Sequence, residues 1–335
     1  MKIIRTDAEL QTPYLDTVLK NSGHDLVTLQ DGVDEDILIA AIADADLLLM
    51  CYTAITARII EAAPNLRGIV KYGVGIDAID IPAAKARGIT VVNIPEYAEE
   101  TVAEGAFALM IALARKLIPL DRKMRSDGWA WPEPTWRGND IADKTVGIVG
   151  FGKIGRSMAR MCGKGFRANV IAYSPHTPAA DMEAAGVRCC ETLHELLAQS
   201  DMVSIHCVLN DSTRHLIGEA ELRAMQPHAH LINVSRGAIV DEVALVRALQ
   251  EGWIAGAGLD VFSDEPLRRE GHMISPLYDM DNVLLSPHLT FYTAEAMERL
   301  ERETLDRCTE ILEGRPVLVK SADPRLQGQP GARYL

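Results

Sequence analysis

Positive charge is in short supply in this chain. Against 47 Asp and Glu it carries 34 Lys and Arg, a formal net charge of -13, which opposes nucleic acid or an anionic membrane as its partner, because phosphate-rich surfaces call for net positive faces. Only a local basic pocket is compatible with that balance. No apolar stretch of signal-peptide length accompanies the charged start MKIIRTDAEL, so a cytoplasmic protein is expected. No unbroken apolar run reaches membrane length: VAEGAFALMIALARKLI, from Val102, is interrupted by Glu104 and Arg115 and reads as a buried helix. The six cysteines, Cys51, Cys162, Cys189, Cys190, Cys207 and Cys308, show neither CxxC nor zinc-finger spacing. They read as reduced, mostly buried thiols. Internal repeats and low-complexity linkers are also missing.

What is present suits a two-domain globular protein. A chain of 335 residues, 48% hydrophobic and 24% charged, is long enough to build two cores without disulfides or metals. The runs KIIR, DLVTL, ADLLLM, RGIVKYG and ITVVNIP alternate with helical patterns in the first hundred residues, the rhythm of a parallel βα sheet. A helical segment over Val102 to Leu117 and a polar, Trp-rich connection, Asp127 to Thr145, separate them from a second series. That series, TVGIVG, ANVIAY, DMVSIHC, AHLINVS, AGAGLDVF and NVLLSPH, predicts six further strands, enough for a complete doubly wound dinucleotide domain. Met297, Leu300, Leu305, Cys308, Ile311 and Leu312 then recur at spacings near three and four, predicting an amphipathic helix that returns to the first unit and makes it discontinuous. The expected fold is therefore α/β: two doubly wound parallel-sheet domains, one over 102–290 and the other built from 1–101 and 291–335.

The sharpest motif is G-x-G-x-x-G at Gly150, Gly152 and Gly155, directly after the apolar strand TVGIV and directly before a helical segment. The first glycine allows the tight turn, the second lets a phosphate approach the backbone and the third lets helix pack on strand, so that amides at the helix start face a pyrophosphate. Lys153 stands in the same turn, either as added charge near phosphate or as a solvated lysine. The earlier pair Gly73 and Gly75 in YGVGID lacks the third glycine, and reads either as a turn offering bare amides to a small anion or as a simple turn.

Three segments at the ends of the last expected strands carry Arg236 (NVSRG), Asp260 and Glu265 (GLDVFSDEP) and His288 (SPHLT). Open α/β sheets collect ligands at the carboxyl ends of their strands. A guanidinium to hold and polarise an α-keto acid, a histidine to protonate its oxygen and a carboxylate to keep that histidine charged together suit carbonyl reduction. His228 and His230, in PHAH, have a metal-compatible alternation but no second ligand pair, and read as a loop.

Taken together, YGVGIDAID, NIPEY followed by VAE, KTVGIVGFGKIG, CVLNDSTRHLIG, LINVSRGAIVDEVAL, GAGLDVFSDEP and SPHLT resemble, in order and spacing, the D-isomer-specific 2-hydroxyacid dehydrogenase family, which includes glyoxylate and hydroxypyruvate reductases. The resemblance covers nearly the whole chain. It implies that His288 is the acid/base paired with Glu265 and that Arg236 binds substrate. It also implies that the amides of Val74 and Gly75 receive the substrate carboxylate; Tyr52, with Met50, Cys51 and the Trp loop, is expected to define the side-chain pocket. Gly150, Gly152, Lys153, Ile154, Gly155, Ser174, His176, Cys207, Thr213, Val234 and Asp260 would line a nicotinamide cofactor, with Asp260 at the nicotinamide end. A homodimer is implied as well.

Some positions depart from the commonest family pattern. Gly105 stands where a histidine is frequent, and Val208 and Asn210 replace the usual Pro and Thr. MCYTAIT lacks the arginine that a phosphoglycerate-type substrate requires, and Glu265 stands where a formate-specific member places a neutral amide. Rival readings are a phosphoglycerate dehydrogenase, an NAD(H)-sensing corepressor-like scaffold of the same fold, and a protein that holds NADPH without turnover. Trp129, Trp131 and Trp136 read as a subunit-interface or cleft-border group. Finally, VIAYSPHTP holds no acidic residue where an NAD-selective site places one to accept from the ribose hydroxyls and repel a 2'-phosphate. With Ser174 there, and His176 and Thr177 close by, NADPH or dual cofactor use is expected.

Overall fold

A computed structural model describes all 335 residues. The chain forms two compact units, Met1–Ala98 with Thr293–Leu335, and Glu99–Tyr292. No helix is long and apolar enough to cross a membrane.

The first unit opens with β1 (Lys2–Arg5), α1 (Pro13–Asn21), β2 (Asp25–Thr28), α2 (Glu35–Ile42), β3 (Leu47–Met50), α3 (Ala57–Glu61), β4 (Gly68–Lys71), α4 (Ile81–Ala86) and β5 (Thr90–Asn93). The strands pair in parallel in the order β2-β1-β3-β4-β5, a doubly wound order of the flavodoxin type. The central strands LLLM and GIVK are buried along their whole length, as strands covered by helices on both faces must be. Side-chain caps start three of the helices: Asp34 accepts from the Asp36 amide, Thr56 from Ile59 and Asp80 from Ala83.

The second unit runs α5 (Glu99–Ala114), α6 (Leu117–Asp127), β6 (Thr145–Val149), α7 (Lys153–Arg160), β7 (Asn169–Tyr173), α8 (Ala179–Ala184), β8 (Arg188–Cys189), α9 (Leu193–Gln199), β9 (Met202–Ile205), α10 (Glu219–Ala224), β10 (His230–Asn233), α11 (Glu242–Gln250), β11 (Gly256–Leu259) and β12 (Val283–Leu285). Seven parallel strands lie in the order β12-β11-β10-β9-β6-β7-β8. Six of them are the expected ones; the seventh, β8, is an edge strand of two residues. Strand order reverses at β6, the switch point where Rossmann sheets hold dinucleotides. Residues alternate across the sheet: Val146 and Ile148 belong to the core on one face, Val149 and Ile205 to the core on the other. The helix expected over Val102 to Leu117 is divided, because Lys116 adopts a left-handed conformation (φ 51°) between α5 and α6.

The tail adds α12 (Ala294–Leu312), β13 (Val317–Val319) and β14 (Ala332–Tyr334) to the first unit. Glu301 of α12 accepts from the Leu15 amide of α1 at 2.8 Å, and Ile311 packs where a side chain on Gly68 of β4 would stand. Beyond α12, the side-chain amide of Gln329 both accepts from the Val91 amide, at 2.7 Å, and donates to its carbonyl, at 2.8 Å. It thereby covers part of the β5 sheet edge, where unpaired backbone would otherwise be exposed.

Candidate active site

The glycine turn after β6 is shaped as its sequence requires. Gly150 has φ 93°, and a Cβ there would lie 2.5 Å from the Cys207 amide nitrogen, so only glycine lets the ends of β6 and β9 approach so closely. A Cβ on Gly155 would collide with the Gly150 carbonyl oxygen, whereas one on Gly152 would meet nothing within 4 Å. The turn is thus tight at its first glycine, packed at its third and open at its second, the side from which a pyrophosphate approaches the start of α7. Ile154 packs against the core beneath. The half-exposed Lys153 ammonium pairs with Glu99 at 3.0 Å.

Ser174 follows the last residue of β7. Its Oγ lies 3.0 Å from that of Thr177, and the Thr177 amide donates to the Ser174 carbonyl at 3.0 Å. Two hydroxyls therefore stand together where an acidic residue would stand in an NAD-selective site, with His176 exposed beside them. Cys207 is half-buried after β9, and burial pushes its thiol up to about 11. Thr213 donates to the Val208 carbonyl at 2.7 Å, closing that loop. Val234, after β10, is buried.

Arg236, Asp260 with Glu265, and His288 follow β10, β11 and β12, which are neighbours in the sheet. Nδ1 of His288 lies 2.7 Å from Oε2 of Glu265, while the other Glu265 oxygen accepts the Phe262 amide at 2.7 Å. Burial pushes the Glu265 carboxyl up, but the His288 hydrogen bond and charge, the Phe262 amide and the Arg236 charge together hold it below the usual carboxylate range. Asn233 donates to the Arg236 carbonyl at 2.9 Å. Asp260 is fully buried, and its carboxylate accepts the Leu289 amide at 2.9 Å, the Thr290 amide at 3.1 Å and the Thr290 hydroxyl at 2.6 Å. These bonds anchor the turn in which His288 has φ 57°.

In the first unit Val74 and Tyr52 are exposed, and Asn93, at the end of β5, donates to the Val74 carbonyl at 2.6 Å. The YGVG turn is therefore pinned from the sheet. The buried Lys71 ammonium bonds the Cys51 carbonyl and lies 3.2 Å from the Cys51 thiol, under Gly73. Of the PHAH histidines, His228 pairs with Asp201 at 2.9 Å and His230 is buried at the start of β10.

Sequence reasoning overlooked Asn93, Lys71, Thr290 and Gly237. A Cβ on Gly237 would overlap the Phe262–Ser263 backbone, so this glycine lets the Arg236 loop press against the Glu265 loop. Its position directly after the arginine, in SRG, was the available signal. Asn93 and Thr290 act through partners remote in sequence, and nothing local marks them.

A Rossmann sheet with an open glycine turn and a charged set at its adjoining strand ends defines a dinucleotide-dependent oxidoreductase. Residues 107–290 match the model of the D-isomer specific 2-hydroxyacid dehydrogenase NAD binding domain. The chain is 42% identical over 267 residues to a glyoxylate reductase of Korarchaeum cryptofilum, covering 79% of each protein. It is 38% identical over 270 residues to a D-3-phosphoglycerate dehydrogenase of Mycobacterium leprae, covering 80% of this chain but 49% of that one. Among solved structures it is similar to a D-lactate dehydrogenase of Aquifex aeolicus complexed with NAD and lactic acid, at TM-score 0.83 and 30% identity over 93% of this chain and 96% of that one. It is equally similar, at TM-score 0.83 and 29% identity over 93% and 97%, to an acyclic imino acid reductase in complex with NADPH and D-Arg. The chain belongs to the D-isomer-specific 2-hydroxyacid dehydrogenase family.

Proposed function

We propose that the protein reduces a small 2-keto acid of the glyoxylate or hydroxypyruvate type to the D-2-hydroxy acid, or catalyses the reverse, with His288 as acid/base. The observation that carries this reading is the 2.7 Å contact between His288 and Glu265, placed beside Arg236 at the ends of adjacent strands. A carboxylate held below its usual range stays charged and holds the imidazole in place through Nδ1. With Nδ1 held by Glu265, the proton given to the substrate oxygen is the one on Nε2. Arg236 binds the carboxylate or carbonyl and stabilises the developing alkoxide, an effect typically worth about 100- to 1,000-fold. The amides of Val74 and Gly75 receive the substrate carboxylate, with Tyr52 in the pocket.

In this reading residues 102–290 are the cofactor domain, and 1–101 with 291–335 the substrate domain. Gly150, Gly152, Lys153, Ile154 and Gly155 hold the pyrophosphate, Cys207, Thr213 and Val234 the rest of the dinucleotide, and Asp260 stands at its nicotinamide end. A bound reduced nicotinamide supplies the hydride. Ser174, with His176 and Thr177 at hand, removes the carboxylate that would repel a 2'-phosphate, which supports use of NADPH or of both cofactors.

A homodimer is part of the proposal. Phe107 of α5 and Phe166 meet with ring centroids 4.5 Å apart, tilted at 41°, at an open groove of about 630 Å³ whose lining is mostly apolar, with Ala108, Ile111 and Met161, and also includes Glu104, Arg160 and Lys164. Phe166 is 41% exposed. An apolar surface of that kind suits a second copy of the chain.

The test is a series of 2-keto acids of graded size with NADH and with NADPH. The reading predicts consumption of reduced cofactor with glyoxylate or hydroxypyruvate, and is contradicted if no 2-keto acid is turned over.

A further inference from the structure

We propose that Thr290 is a positioning residue for His288: its hydroxyl clamps the His288 turn onto the buried Asp260 carboxylate, in a space that Gly105 keeps open. The proposal rests on the reading of His288 as the proton donor. A histidine at φ 57° occupies backbone space that non-glycine residues rarely adopt, and such a conformation persists only where its surroundings over-determine it.

The surroundings here are three hydrogen bonds to one fully buried carboxylate. Two come from the main chain and are open to any sequence. The third, and the shortest at 2.6 Å, depends on the Thr290 side chain. None of the three comes from the ring of His288, so the carboxylate acts on the histidine only through the backbone that carries it.

Thr290 fits because α5 has no side chain opposite it. A Cβ on Gly105 would lie 2.5 Å from Thr290 Cβ, 2.7 Å from its Cγ2 and 3.1 Å from its Cα. The last of these is a backbone atom of the turn itself, so a larger residue at 105 would displace the turn as well as the side chain. The β-branched threonine is restricted about χ1, which keeps its hydroxyl toward Asp260 and its methyl toward Gly105. The two residues are thus complementary, and together they fix where the imidazole stands.

Proton transfer is sensitive to placement: an error of about 1 Å costs roughly 100-fold in rate. Thr290→Val keeps the shape of the side chain and removes the donor. With NADPH and glyoxylate we expect its kcat to fall about tenfold or more while KM for NADPH stays within about twofold, with Thr290→Ser restoring kcat to within about twofold of wild type. Gly105→Ala should lower kcat in the same way.

In nucleotide-free protein, the NMR signals of the His288 ring, assigned by their loss in His288→Ala, should shift or broaden in Thr290→Val and match wild type in Thr290→Ser. If Thr290→Val does not fold, Thr290→Ala carries the same expectations. Wild-type kcat and ring signals in the hydroxyl-free variant, or equal impairment in Thr290→Ser, would overturn the clamp. Absence of turnover in the wild type would instead count against the proposed reaction, and the ring signals would still decide the clamp.

Discussion

His288 and Glu265 meet at 2.7 Å through Nδ1 and Oε2, although 23 residues separate them in the chain. The carboxylate is fixed in turn by the Phe262 amide, so it orients the ring. Glu265→Gln keeps the shape and loses the charge. Steady-state kinetics should show kcat for keto-acid reduction falling about 10- to 100-fold, roughly 1.4 to 2.8 kcal/mol of barrier, with cofactor binding unchanged. Wild-type kcat in this variant would remove Glu265 from the mechanism.

Cofactor choice turns on Ser174. Introducing a carboxylate with Ser174→Asp should repel a 2'-phosphate and lower the ratio of kcat/KM for NADPH to that for NADH by about tenfold or more. A wild-type preference for NADH beyond about tenfold, some 1.4 kcal/mol, would contradict the expected NADPH or dual use.

The contact between Phe107 and Phe166 gives the dimer proposal a direct test. Phe166→Glu places a charge in an apolar contact, where burying it unpaired is costly. Sedimentation velocity should show a dimer for the wild type and a monomer for the variant. A monomeric wild type, or a variant that remains dimeric, would exclude this face as the interface.

Acid stability should carry the signature of His230. Burial, with the charges of His228 and Lys116 adding to it, pushes this imidazole down to about 4 from its ordinary 6.5. The unfolded state therefore binds the proton more readily, and the contribution of neutral His230 is complete above pH 6.5 and lost as the pH falls through about 4. Thermal melts of His230→Leu should lose less stability over that acid range than those of wild type. Parallel losses would show that another group governs acid unfolding.

Much of this architecture could be read from residue pattern, because parallel strands buried on both faces appear as apolar runs and the glycine turn announces itself. The strand β8 could not, since Arg188 and Cys189 offer two residues at a sheet edge and no periodicity. The break between α5 and α6 was equally hidden: Lys116 is neither glycine nor proline, so nothing local marks its left-handed conformation. In the candidate site, Arg236, Glu265 and His288 were legible because each stands at the end of an apolar run. Asn93 under Val74 and Thr290 on Asp260 were not, since their meaning lies in partners about 20 to 30 residues away.

The central claim is that His288 protonates the substrate carbonyl, and the most direct measurement compares wild type and His288→Ala for NADPH consumption with glyoxylate or hydroxypyruvate, alongside NADPH binding. Wild type should consume the cofactor, and the variant should lose about 100- to 10,000-fold in rate, the usual share of a placed proton donor, while binding NADPH nearly as well. A variant turning over within about tenfold of wild type would contradict the assignment of His288 as the acid.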